Sequence, residues 1–173
     1  MSNIKKLDLI MREIGPRFEL KRVYRHDNEH WSLFISDDRE TFVELLDSKN
    51  TLYLSTDIQL PQHLRVDKNE LQQDAEKIHL LNQFYMTLMG FNSLWEKTGG
   101  FSFGLINNMK IELSLPIIAF ELSLQEFGNK IIAFDKQAKH WITLCNDFGL
   151  NNSKVRSELS LDTLINHNYL LKV

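Results

Sequence analysis

The chain has 173 residues, a net charge of −3, and 43% apolar and 10% aromatic side chains. That is enough for one core, and too apolar for a disordered segment. The acidic balance disfavours a nucleic-acid binder, which gains affinity by neutralising phosphates with Lys and Arg, and the single cysteine excludes an intrachain disulfide or a zinc site built on two cysteines.

Ile4, Leu7, Ile10, Met11 and Ile14 recur at helical spacing with charges between them, which predicts an amphipathic first helix capped by Ser2 or Asn3. Gly15-Pro16 is expected to end it, because proline has no N–H to donate and restricts the residue before it. Period two follows, with Phe18, Leu20, Arg22 and Tyr24 on one face of a strand and Glu19, Lys21 and Val23 on the other. The polar segment His26–His30 reads as a turn. Strands over Trp31–Ile35, Thr41–Leu46 and Leu52–Ser55, separated by polar turns, complete an antiparallel meander.

Pro61 interrupts the chain, and Asp67 with Glu70 forms a capping-box pattern. Leu71, Ala75, Ile78, Leu81, Tyr85, Leu88 and Met89 make one stripe of a long helix, widened by Leu80, Phe84 and Phe91, that fails near residues 90–93. After Thr98-Gly99-Gly100, Phe101–Leu105 and Lys110–Leu115 alternate about Asn107-Asn108 and predict a hairpin. Ser123 and Glu126 make a second capping box. Leu124, Phe127, Ile131, Phe134, Ala138, Trp141 and Cys145 then form the cleanest helical stripe, with Gly149 as its C-cap.

The fold class is therefore α+β: N-terminal helix, antiparallel strand meander, long middle helix, β-hairpin and C-terminal helix. Residues 1–148 read as one domain. Residues 149–173 are an extension carrying Leu161, Leu164, Ile165, Tyr169, Leu170 and Leu171, either a short docked helix or a mobile tail. The N-terminus lacks the apolar stretch of a signal peptide, and no apolar run reaches the ~20 residues a membrane helix needs, so no membrane insertion is expected.

No catalytic constellation stands out. His26 and His30, with Asp27 and Glu29, are the nearest to a metal cluster, but a turn does not give them the shared face that i, i+4 histidines have on a helix. Cys145 continues an apolar stripe, where cysteine packs as a small hydrophobe. No phosphate loop or calcium loop is present. Lys21-Arg22-Val23-Tyr24 mixes cations with an aromatic ring, which a strand with one buried aromatic face explains as well as a nucleic-acid surface does. The informative feature is apolar excess on both faces of the meander. Trp31, Leu33 and Ile35 oppose Phe34; Val43 and Leu45 oppose Phe42 and Leu46; Leu52 and Leu54 oppose Tyr53. The chain's own helices, a second subunit or a bound polypeptide would cover such surface.

Three places resemble the class I chaperones of bacterial type III secretion, the Tir chaperone family. They are the amphipathic first helix with its meander, the Leu52-Tyr53-Leu54 strand leading through Leu60-Pro61 to the long helix, and the strand Thr98-Gly99-Gly100-Phe101-Ser102-Phe103-Gly104-Leu105. The resemblance spans residues 1–148. It implies a cytoplasmic homodimer without enzymatic activity or cofactor. Such a protein keeps the N-terminal region of a secreted effector extended and delivers it to the secretion apparatus and its ATPase. It also implies an effector-binding surface at Leu7, Ile10, Met11, Phe34, Ile35, Phe42, Val43 and Leu45, with one of each adjacent pair facing the guest. The implied dimer interface holds Leu80, Leu81, Phe84, Tyr85, Leu88, Phe101 and Phe103. Two other readings stay open: a small α+β enzyme or ligand-binding domain with a site near His26 and His30, and a chaperone of apparatus components.

Overall fold

A computed structural model describes residues 3–36, 39–65, 75–107, 109–119 and 122–150, apart from the side chains of Asn3 and Asp47. The Ser2 cap, the Asp67–Glu70 capping box with Leu71, Asn108 and the extension beyond Leu150 lie outside these residues.

The elements follow the expected order: α1 (Asn3–Arg17), β1 (Arg22–Arg25), β2 (His30–Ser36), β3 (Arg39–Leu46), β4 (Thr51–Gln59), α2 (Ala75–Ser93), β5 (Ser102–Asn107), β6 (Lys110–Ile118) and α3 (Leu124–Asp147), with short 3-10 turns at Asp47–Lys49 and Gln62–Leu64. The strands form one sheet in the order β1-β2-β3-β4-β6-β5. β1 to β4 are an antiparallel meander. β6 runs antiparallel beside β4: Ala119 N–H donates to Asn50 C=O at 3.0 Å, and Leu60 N–H donates to Met109 C=O at 2.8 Å.

The end of α1 departs from the sequence reading. The helix runs through Gly15-Pro16 and closes at Arg17. Proline there forfeits only one hydrogen bond in a final turn. Termination comes instead from a Schellman motif: Leu20 N–H donates to Gly15 C=O at 2.9 Å, and Glu19 takes φ 55° at the left-handed position. Phe18 and Leu20 therefore belong to the cap, and β1 starts only at Arg22.

β3 and β4 alternate buried and open residues as half-buried strands do. β2 does not, because its register with β3 shifts between Phe34 and Ser36. Ile35 sits at this irregularity, so it and Phe34 are both half-buried.

Two compact units divide the chain, one comprising Met1–Thr56 with Ser114–Ala138, the other Asp57–Leu113 with the described part of Lys139–Val173. In the first, Ile14, Trp31, Leu33, Leu45, Leu52, Leu54, Phe127 and Phe134 are closed to solvent, each contributing about 2 kcal/mol of apolar burial. Gly128 on α3 is part of the fit, since a Cβ there would lie 2.0 Å from the Phe18 ring. Arg39 and Asp135 form an ion pair with side chains only 11% and 7% exposed. The capping box at α3 forms as expected. Ser123 N–H donates to the Glu126 carboxylate at 2.9 Å, and Glu126 N–H donates to Ser123 Oγ at 3.2 Å.

The second unit is built on aromatic rings. Phe91 and Phe103 each meet Trp141 edge to face, with centroids 5.0 and 4.5 Å away, and lie tilted to each other at 5.4 Å, and Phe84 meets Phe148 at 5.2 Å. The Asn92 amide bonds both backbone groups of Phe103, accepting from its N–H at 2.7 Å and donating to its C=O at 2.9 Å. It thus satisfies part of the free edge of β5. Gly149 adopts φ +80° as the expected C-cap of α3, and a Cβ there would sit 2.5 Å from Leu80.

Candidate functional site

In the first unit, the C-terminal half of α1 lies beside β1. The two are in close contact at Gly15, where a Cβ would touch Val23 at 3.4 Å. Between them opens a cavity of about 710 Å³. Met11, Leu20, Val23 and Trp31 give it apolar walls, and Arg12, Lys21, Arg22 and Arg25 line it with Asp8 and Glu19. Four cations against two carboxylates leave it at +2, inside a chain whose total is −3.

These cations are held differently. Arg25 is fully engaged. It reaches the Asp8 carboxylate at 3.0 Å, Asn28 at 2.9 Å and the Asp27 carbonyl at 2.7 Å, and its guanidinium lies 5.7 Å from the Trp31 ring centre. Arg22 lies 4.6 Å over the Phe34 ring, a cation–π contact that leaves edge N–H donors available. Among the described residues neither Arg12 nor Arg22 has a carboxylate partner.

β1 is an end strand of the sheet, with β2 as its strand neighbour. In an antiparallel ladder alternate residues of an end strand direct N–H and C=O outward, where an extended chain can pair with them. On the sheet face opposite the core, Tyr24, Ser32, Phe42 and Ser55 are successive cross-strand partners. Tyr24 packs edge-on to Phe34 with centroids 6.0 Å apart, while Phe42 stays 39% exposed.

The residues expected to bind a guest divide by exposure. Met11 lines the cavity but is only 4% exposed. Phe42 is open, and Phe34 and Ile35 are half-open. Leu7, Ile10, Val43 and Leu45 are buried in the core of the first unit. The dimer candidates divide likewise. Leu80, Leu81 and Tyr85 are half-open, whereas Phe84, Leu88, Phe101 and Phe103 are buried within the second unit. That unit instead exposes Met86, Met89, Trp95, Leu105, Ile106 and Met109, each at 46% or more. Sequence reading placed Met89 in the helix stripe and Leu105 in the hairpin without assigning either to an interface, and it gave no site role to the others or to Arg12 and Arg25. The basic run at Lys21-Arg22 was visible, but its place beside the cavity was not.

His26 and His30 do not line the cavity. His26 bonds Ser32 Oγ at 2.6 Å, and His30 bonds Asp27 at 2.8 Å. Among the described residues no three His, Cys, Asp or Glu side chains are grouped to hold a metal, and no helix is long and apolar enough to cross a membrane. Burial pushes the Cys145 thiol up to about 12, far from a reactive thiolate.

Comparison with family models and with curated proteins gives no match. Solved structures do match. A chain of the ExsC-ExsE complex superposes with TM-score 0.62 at 21% identity, covering 84% of this chain and 97% of that one. A chain of the HopA1-SchA chaperone-effector complex gives 0.55 at 14% identity, over 83% and 97%. An uncharacterized protein from Methanothermobacter thermautotrophicus gives 0.51 at 16% identity, over 85% and 99%. At these identities the likeness is one of fold, and the α+β fold is the one implied by the resemblance to the secretion chaperones.

Proposed function

We propose that the protein is a chaperone that binds the N-terminal region of a secreted effector in extended form, keeps it competent for export from the bacterial cytoplasm, and hands it to a type III secretion apparatus with its ATPase. The observation that carries this reading is the open cavity beside the end strand β1, in a fold shared with a chain of a solved chaperone-effector complex. An extended guest gains main-chain hydrogen bonds at such an edge and places alternate side chains in the cavity and on Phe42 and Phe34. Ordering the guest costs about 2–5 kcal/mol, which apolar contacts spread along it must offset. The buried Leu7, Ile10, Val43 and Leu45 serve in this reading as the rigid floor beneath the contacts.

The same reading makes the protein a homodimer. The exposed Met86 and Met89 of α2 and Leu105 of β5 are apolar side chains a second copy would cover, flanked by the half-open Leu81 and Tyr85. It acts by binding rather than by catalysis.

The test is purification from the native bacterium with mass spectrometry of what remains bound. One secreted protein is expected, and its N-terminal region alone should suffice for binding. Phe42→Asp should weaken that binding about tenfold while leaving thermal unfolding nearly unchanged, because the side chain is already 39% exposed. Recovery of no secreted protein would sink the proposal.

A further inference from the structure

We infer that the cavity beside β1 selects guest segments in which an acidic side chain lies next to an apolar one, the carboxylate being taken by Arg12 and Arg22. This deepens the chaperone reading and rests on it. The argument is charge complementarity at a site whose cations are unequally satisfied.

Arg25 already has its carboxylate, Asp8, at 3.0 Å. Arg12 has none among the described residues, and Arg22 has only the Phe34 ring. Both line the same cavity as the apolar Met11 and Val23. The lining carries +2 while the chain totals −3, so everything outside it sums to −5. An acidic segment is therefore attracted to a cationic lining within a chain of net negative charge, which gives orientation as well as affinity. Arginine suits the task because its planar fork binds a carboxylate through two parallel N–H···O bonds. A guest rich in lysine would meet like charge at the cavity and lose its own solvation without compensation.

The experiment uses the full chain and short labelled peptides alternating valine with glutamate, glutamine or lysine, read by fluorescence anisotropy. The glutamate peptide should bind about tenfold more tightly than the glutamine peptide, with the lysine peptide weakest. In Arg12→Gln/Arg22→Gln, both at exposed positions, the glutamate advantage should collapse to within about twofold, with the unfolding temperature unchanged. Arg12→Lys/Arg22→Lys should restore part of it. Equal affinity for the three peptides in the native protein would overturn the inference. So would binding of none of them, or a glutamate preference that survives the double glutamine variant. The two readings fail separately. A natural guest that binds the double glutamine variant with unchanged affinity would remove the charge selection and leave the chaperone standing. Absence of any natural guest would remove the chaperone itself.

Discussion

The two compact units leave different surfaces open. The first closes its core under α1 and α3 and leaves a cavity where apolar walls alternate with charged side chains. The second closes on a cluster of aromatic rings and leaves bare methionine, leucine, isoleucine and tryptophan side chains on α2, on β5 and in the turn between them. A mixed polar and apolar surface tolerates water between binding events and suits a guest that must be released. A surface of bare apolar side chains is costly in water and suits a partner that stays. Under the proposed function the contrast becomes a division of labour within one small fold, with exchange assigned to the β1 end strand and permanence to the α2–β5 surface.

The strongest way to break that division is Met89→Asp/Leu105→Asp. Both side chains are well exposed, at 70% and 59%, so each subunit should fold. A symmetric dimer would then bury four unpaired carboxylates, weakening association by about a thousandfold or more. Light scattering should fall from twice 20.4 kDa to 20.4 kDa, with guest-peptide binding retained in part by the lone subunit. A native protein already monomeric at micromolar concentration would end the comparison, because the second surface would then have no permanent partner.

A second change tests whether the first unit is the rigid support that its cavity requires. Arg39→Ala strands the Asp135 carboxylate, whose side chain is 7% exposed, without its guanidinium. Breaking one partner of such a buried pair costs about 3 kcal/mol, measurable as a lower midpoint in urea denaturation. Replacing both, as Arg39→Met/Asp135→Leu, should recover most of that loss, because an apolar pair of similar volume avoids the desolvation penalty. Failure of the double variant to recover would mean that the pair does more than satisfy itself.

Much of this architecture is legible in the sequence, for reasons that show where legibility stops. α3 is readable end to end because its stripe and its Ser123–Glu126 capping box are local, and both form. The parity of Phe42 and Val43 follows from strand alternation once β3 is recognised, and the structure buries Val43 while opening Phe42. Ile35 escapes the same logic because a register shift lies beside it. The end of α1 is misread because Gly15-Pro16 is a strong local stop signal, while the actual stop depends on Glu19 accepting a left-handed backbone and Phe18 seating against Gly128, more than a hundred residues away. The cavity is less legible still. Arg22 is visible in the basic run with Lys21, but that neither it nor Arg12 has a carboxylate partner among the described residues is a fact of tertiary placement.

The smallest predicted effect concerns the turn that joins β1 to β2 and so sets the end strand at which exchange is proposed. Asp27 accepts N–H bonds from Glu29 at 2.8 Å and from His30 at 2.9 Å, and the His30 imidazole reaches it at 2.8 Å. The bond to Asp27 raises the His30 pKa against the opposing effect of burial, aided by the charges of Asp27, Glu44 and Glu29. The Glu29 backbone N–H first, and the His30 side chain second, lower that of Asp27. A histidine whose folded pKa is raised contributes stability that is complete below its ordinary pKa and is lost as pH rises through the raised one. A carboxylate whose pKa is lowered contributes above its ordinary value and loses that contribution as pH falls through the lowered one. The turn is therefore held best in the mildly acidic range between the two. Both groups face solvent, so the effect is screened and modest. The difference in melting temperature between the native protein and His30→Ala should be greatest in that range and shrink as pH is raised past the histidine region. If the difference stays constant with pH, protonation of the His30 imidazole adds nothing to its bond with Asp27, and the β1–β2 turn rests on the backbone N–H bonds that Asp27 accepts.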